Sequence, residues 1–341
     1  MRAPGRPIGA TSTEDDLLAR IRRALAAPRR SSSRLALAIG DDAAILRPRP
    51  GYETFLTCDW FLEGAHFLLD RHPPDSVGWK CLARASSDLA AMGAEPRCFL
   101  LSMAIPSTHT GRWLDLFLSG LRSAARSLDC PAAGGDTTRS DRVVINMTVV
   151  GECRRGRAVR RSGAHPGDAI FVSGRLGEAE MGLQLIRAGT GPIDARDPQL
   201  RKHLYPEPRL ELGAWLASKR LATAMMDLSD GLSSDLPRLC EASGVGARII
   251  ARRIPGPRLS GLEARESDRL ALVLDGGDDY ELLFTVSRHR ISQIPPRISR
   301  ISLTPIGQVV AAKGILVDTG ERPETPLGRG GWDPFHRSFR Y

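Results

Sequence analysis

Aspartate and glycine recur together at six places along the 341 residues: IGDD at 39–42, TCD at 57–59, SDLAAMG at 87–93, GGDTT at 134–138, DLSDG at 227–231 followed by Ser234 and Asp235, and DGGDDY at 275–280. Any one of these is an ordinary turn or helix cap. The set is harder to explain that way, because caps need neither the pair Asp41-Asp42 nor three acids spaced as Asp227, Asp230 and Asp235. Most follow or border an apolar run, which places them near the end of a sheet, where open α/β folds put their ligands. Carboxylates converging there repel one another by several kcal/mol at ~4 Å and an effective dielectric near 20. A divalent cation relieves that repulsion. Oxygen ligands without a His/Cys cluster favour Mg²⁺, which in turn recruits phosphates. The Gly-Gly before Asp136 lets backbone N–H groups approach a phosphate. The chemistry written here is that of a Mg-nucleotide.

Other routes to phosphate chemistry are missing. The chain has no Gly-Lys dipeptide, so a GxxxxGK[ST] loop cannot occur, and it has neither HRD nor DFG. A phosphoryl transfer would therefore rest on metal ions, backbone donors and arginine. No GxSxG elbow is present. The formal net charge is +9, and of 48 basic residues only Lys80, Lys202, Lys219 and Lys313 are lysine. That balance permits polyanion binding, but the arginines are scattered outside 29–34 and 154–161, and aromatics make up only 5%. The expectation is no nucleic-acid partner. No run of ~18 apolar residues exists, so no membrane partner is expected. The six cysteines form no CxxC pair and mostly lie in apolar runs, which suggests reduced thiols and a cytoplasmic protein.

The elements that must hold these residues follow from periodicity. Residues 1–13 are rich in Pro, Gly, Ser and Thr without a period and read as a flexible segment; 28–33 reads as an Arg/Ser loop. Helices are expected over 14–25, 75–92 and 110–128, the last with an apolar stripe at period 3.6. Strands are expected over 35–39, 54–57, 98–105 and 143–150. A Gly/Pro linker, RSGAHPGD at 161–168, divides the chain into 14–163 and 164–341. The second part alternates strands at 169–172, 223–226, 247–250 and 280–286 with helices at 177–188, 209–218 and 232–242. The fold class is α/β.

Read as whole motifs, IGDDAA, SSDLAAMGA, GGDTTR, RSGAHPGD, DLSDGLSSDL and GGDDYEL, in that order, resemble the thiamine-monophosphate kinase family of the aminoimidazole ribonucleotide synthetase superfamily. The resemblance runs from about Glu14 to the Trp332–Phe335 tail. It implies a two-domain PurM-like fold whose N-terminal domain forms a dimeric β-barrel, and a C-terminal α/β domain. It implies direct in-line transfer of the γ-phosphoryl of ATP to thiamine monophosphate, with several Mg²⁺ ions, no covalent intermediate, and a homodimer. Carried over by motif, Asp42, Thr57, Cys58, Asp59, Asp88, Asp136, Asp230 and Asp235 would hold metal, Cys58 through its backbone. Gly135, Asp136, Arg161 and Ser234 would contact ATP. His66, Asp278 and Trp332 would contact the acceptor, Trp332 offering its face to a cationic ring at ~0.5–2 kcal/mol.

Three positions depart from the family pattern. Asp278 stands where Glu is usual, Trp60 where a small Thr is usual, and Ala85 where Asn is often found. They motivate one rival reading, another ATP-using enzyme of the superfamily with a different acceptor; a rival from another class is a non-catalytic Mg-nucleotide-binding protein.

Overall fold

The computed structural model describes residues 14–26, 35–189, 193–257, 266–320 and 323–335. The expected flexible segment 1–13 and the loop 28–33 lie outside the described residues.

The first part opens with helix α1 (Glu14–Leu25) and a short antiparallel pair, β1 (Leu35–Leu37) and β2 (Ile45–Leu46). Strand β3 (Tyr52–Leu62), helix α2 (Pro74–Met92), strand β4 (Glu95–Ile105), helix α3 (Arg112–Ser127), and strands β5 (Ala132–Arg139) and β6 (Val144–Arg154) follow. The four long strands form one sheet in the order β3-β6-β4-β5, antiparallel except for the β4–β5 pair. Alternate residues such as Ile145, Met147 and Val149 are buried beneath the helices. The expected stripe of α3 is borne out, with Leu114, Phe117, Leu118 and Leu121 buried. Helix α2 starts on Pro74 and stops at Gly93 in the left-handed conformation. It lies against α3 closely enough that a Cβ at Gly120 would sit 1.8 Å from the Asp75 carbonyl.

Among the described residues nothing covers the other face of this sheet. Leu56 is 74% exposed and Trp60 57%. Within one chain the sheet stays open, so the closed barrel expected from the resemblance is not formed by a single copy.

The second part comprises β7 (Ala169–Ser173), α4 (Glu178–Ala188), α5 (Pro198–Leu204), α6 (Leu210–Lys219), β8 (Ala222–Leu228), α7 (Leu232–Ser243), β9 (Gly246–Ile250), α8 (Glu266–Asp275), β10 (Glu281–Val286), β11 (Arg297–Ile298), β12 (Ile301–Val310), β13 (Ile315–Asp318) and β14 (Thr325–Pro326). Its sheet runs β14-β13-β9-β12-β7-β10-β8, antiparallel apart from β13–β9. Strand β7 is buried at every residue. Ile170 and Val172 pack into one core, Ala169 and Phe171 into another, so both faces are covered and the strand reads as a continuous apolar run. The second of these cores takes in Ala90 and Ala91 of α2 with Leu212 and Leu216 of α6, which joins the two parts.

Most expected elements are present within a few residues. The strands of the first sheet are longer than their apolar runs, and this changes where the acids lie. Asp59 and Asp136 sit inside β3 and β5, and Asp88 inside α2, rather than at strand ends. Polar residues can continue these strands because one face is free of the core. Elements β5, α5, α8 and β12 to β14 carried no clear sequence signal.

Candidate active site

Thr57 and Asp59 alternate with Cys58 along β3 and point toward α2. The Thr57 hydroxyl donates to Asp88 Oδ2, and Arg84, one turn earlier on α2, donates from Nε to Asp59 Oδ2 at 3.3 Å. Asp227, near the end of β8, joins this group from the second part. Burial first, then the charge of Asp88, pushes its carboxyl up to about 7. Burial also raises Asp88, against the Thr57 bond and with Asp59 adding to the rise, while the charge of Arg161 opposes it. Asp59, Asp88 and Asp227 are thus electrostatic neighbours at the seam, with Arg161 at their side. Asp227 was not among the candidate ligands; its sequence signal was the first Asp of DLSD.

At the end of β8 the loop carrying Asp230 is tied to α7. Asp235, fully buried, accepts the amides of Ser229 and Asp230 at 3.1 Å each through Oδ2, and Arg238 at 2.8 Å through Oδ1. Its oxygens are committed to holding the loop. Asp230 remains on a cavity rim and pairs with Arg238 at 2.5 Å. Ser234 lies in the first turn of α7, its amide bonded to the Gly231 carbonyl at 3.0 Å.

That cavity, about 460 Å³, opens between the two parts. His66 and Arg84 come from the first part; Asp230, Asp278, Tyr280 and Trp332 come from the second. His66 and Trp332 meet with ring centroids 5.4 Å apart, and the Trp332 amide donates to the Asp230 carbonyl at 2.8 Å. The three acceptor candidates His66, Asp278 and Trp332 therefore share one wall. Burial, then the charge of Arg84, pushes the His66 imidazole down to about 3. The Leu62 amide donates to His66 Nδ1 at 3.0 Å, so the neutral ring is assigned its proton on Nε2. Asp278 has φ +65° and Tyr280 φ +50°, left-handed backbone that Asp tolerates and Tyr adopts only under constraint. Burial alone would raise the Asp278 carboxyl. Instead the Lys80 ammonium at 2.7 Å, with His203 and Arg84, holds it well below the usual carboxylate range. Tyr280 donates to its other oxygen at 2.6 Å.

Other candidates are not brought to this place within one chain. The β3-β6-β4-β5 register puts Trp60, Asn146, Ser102 and Asp136 in one row across the uncovered face. Asp59 lies on the opposite face, and Asp136 is three strands away, about 14 Å at ~4.8 Å per strand. Gly135 is required for a packing reason: a Cβ there would lie 1.8 Å from the Leu101 carbonyl of β4. Cys58 points to the uncovered face and bonds Asn146 at 3.1–3.2 Å. Asp42 is exposed, its amide bonded to the Asp41 side chain. Among the described residues no three His, Cys, Asp or Glu side chains are grouped closely enough to hold an ion. The single eight-member metal set is thus divided by this structure into a seam group, a loop-holding residue and residues apart. In kind, the seam group fits a hard cation: Asp59, Asp88, Asp227 and Thr57 offer only oxygens, and burial, with the neighbouring charges, raises two of the carboxyls.

Comparison with known proteins identifies the family. Residues 40–153 match the AIR synthase related protein, N-terminal domain, and residues 165–294 the C-terminal domain of the same family. The thiamine-monophosphate kinase of Bacillus subtilis is 35% identical over 283 residues, 81% of this chain and 86% of that protein. The crystal structure of thiamine-monophosphate kinase from Stenotrophomonas maltophilia superposes with a TM-score of 0.78 at 34% identity, covering 89% of this chain and 95% of that one. AaThiL complexed with AMPPCP and TMP superposes with a TM-score of 0.70 at 30% identity, over 92% and 96% of the two chains. With both domains matched in order and most of the length shared, the chain belongs to the thiamine-monophosphate kinase family.

Proposed function

We propose that this protein transfers the γ-phosphoryl group of ATP to thiamine monophosphate, giving thiamine diphosphate and ADP. The observation that carries the reading is the cavity where His66, Asp278 and Trp332 converge beside the Asp59, Asp88 and Asp227 seam. A phosphate oxygen of the acceptor attacks the γ-phosphorus in line, the bond to the β-phosphate oxygen breaks, and no side chain becomes phosphorylated. Trp332 and the ionised Asp278 suit a cationic ring; His66 offers an Nε2–H donor. The measurement is thiamine diphosphate formed from ATP, Mg²⁺ and thiamine monophosphate by purified protein. Linear product formation is expected; none over prolonged incubation rejects the reading.

Mg²⁺ would draw together Asp59, Asp88 and Asp227 with Thr57, which among the described residues are not grouped around an ion position without it, and when bound it would neutralise phosphate charge. Metal binding must release the protons that crowding retains. Asp227 has its folded pKa raised to about 7, so its protonated form stabilises the folded chain at low pH, and this contribution is lost as pH rises through about 7. Mg²⁺ takes the proton's place. The rise in melting temperature on adding Mg²⁺ is therefore expected to be larger at pH 8 than at pH 5. An equal rise at both, by thermal scanning, would remove these carboxylates from the metal site.

For the donor, Arg161 beside Asp88 is the best placed of the ATP candidates, with Ser234 on the first turn of α7. Gly135 and Asp136 belong to the uncovered sheet face. A second copy laid over that face would bury Leu56 and Trp60, close a barrel and bring Asp136 into the interface. We take the protein to be a homodimer of this kind, with domains 14–163 and 164–341 meeting in the linker. The gap between the two matched spans, 153 to 165, supports that division. Six unpaired thiols, five of them buried, suit a cytoplasmic setting.

A further inference from the structure

Three residues on one face of α2, four apart, each engage a different part of the seam. Lys80 holds Asp278, Arg84 holds Asp59, and Asp88 accepts from Thr57. Eight residues of helix span about 12 Å, and Arg84 stands midway between the ring end of the cavity and the carboxylate end.

Arg84 is poorly used by the protein itself. Its side chain is 13% exposed, and only Nε has a hydrogen-bond partner, Asp59 at 3.3 Å. Its guanidinium carbon lies 5.5 Å from the centroid of the Phe61 ring, within reach of a cation–π contact. The two terminal amino groups bond to no described residue, yet the side chain lines the cavity. A guanidinium taken from water with four N–H donors unanswered is costly unless a ligand answers them. Asp59 and Asp278 flank its charge, so it sits between carboxylates that repel a phosphate anion and is the cation placed to offset them.

We propose that Arg84 binds the phosphate of the acceptor, a phosphate monoester, through its two terminal amino groups. This rests on the kinase reading above. The planar fork of arginine matches two phosphate oxygens, and a dianionic nucleophile needs such a cation to approach a triphosphate. The ring of the acceptor then lies toward His66, Trp332 and Asp278, and its phosphate toward Asp59 and Asp88, in the order that the face of α2 dictates.

The test compares thiamine monophosphate with thiamine, which lacks the phosphate, by calorimetry on wild type, Arg84→Met and Arg84→Gln. Both variants keep part of the stem that packs on Phe61. The monophosphate is expected to bind about 30-fold more weakly to each, the scale of a lost charge-assisted contact, while thiamine binds within twofold of wild type. KM for ATP is expected to stay within threefold. An unchanged ratio of monophosphate to thiamine affinity overturns the assignment, and so does an equal loss for both ligands. If neither variant folds, wild-type protein decides: the monophosphate, and not thiamine, should protect Arg84 from phenylglyoxal in peptide mapping, and equal protection by the two overturns it. Wild type that forms no thiamine diphosphate sinks the kinase reading, whereas active wild type with an unaltered ratio in the variants sinks only the role of Arg84.

Discussion

Asp88→Asn is expected to lower turnover at least about 100-fold, with the melting temperature of the metal-free protein unchanged or higher. The substitution keeps the volume and can still accept from Thr57, but removes the charge that a cation would meet. Losses of this size are usual when a group stabilising charge in a phosphoryl or acyl transfer is deleted. Stability should not suffer, because Asp88 is raised by burial and by Asp59 and itself raises Asp227. An amide ends that repulsion. Steady-state rates and a thermal scan on the same preparation separate the cases. Retained turnover with a lower melting temperature would make Asp88 a structural residue and remove the core of the metal site.

Glu281→Gln is expected to do the reverse. Glu281 belongs to GGDDYEL, one of the motifs that carry the family resemblance, yet it does not line the cavity. It is 0% exposed and receives Arg209 at 2.6 and 2.7 Å, Lys202, and the Ser173 hydroxyl at 2.5 Å. Burial alone would raise its carboxyl; Lys202 and Arg209 hold it down to about 2. Its stabilising effect is thus present above about pH 4.5 and lost as pH falls through about 2. Removing one partner of such a cluster leaves the other charges buried and costs about 3–5 kcal/mol. We expect a fall in melting temperature of many degrees, with kcat/KM of the folded fraction at low temperature within about threefold of wild type. A full melting temperature with turnover abolished would place Glu281 in the chemistry instead.

The contrast between these two acids marks the limit of what the sequence discloses. Local spacing sufficed for six helices and most strands, though not for α5 and α8, because periods of 3.6 and 2 are set by neighbours in the chain. The residues themselves pointed to carboxylates and glycine turns, and the family resemblance of the ordered motifs added a histidine and a tryptophan. His66, Asp278 and Trp332, 212 and 54 residues apart in turn, were named from motifs and share one cavity wall.

What the sequence left undecided are the relations that run across strands and domains. Asp59 and Asp136 look alike in their motifs, but strand order and register put them on opposite faces of one sheet. Asp235 shares the motif of Asp230, but only the fold shows its oxygens bonded to Ser229, Asp230 and Arg238. Asp227 and Arg84 gain their meaning only when β8 and α2 meet at the seam. Residue types and their local period are properties of the chain; which charges become neighbours depends on contacts between segments far apart along it, and folding alone supplies those.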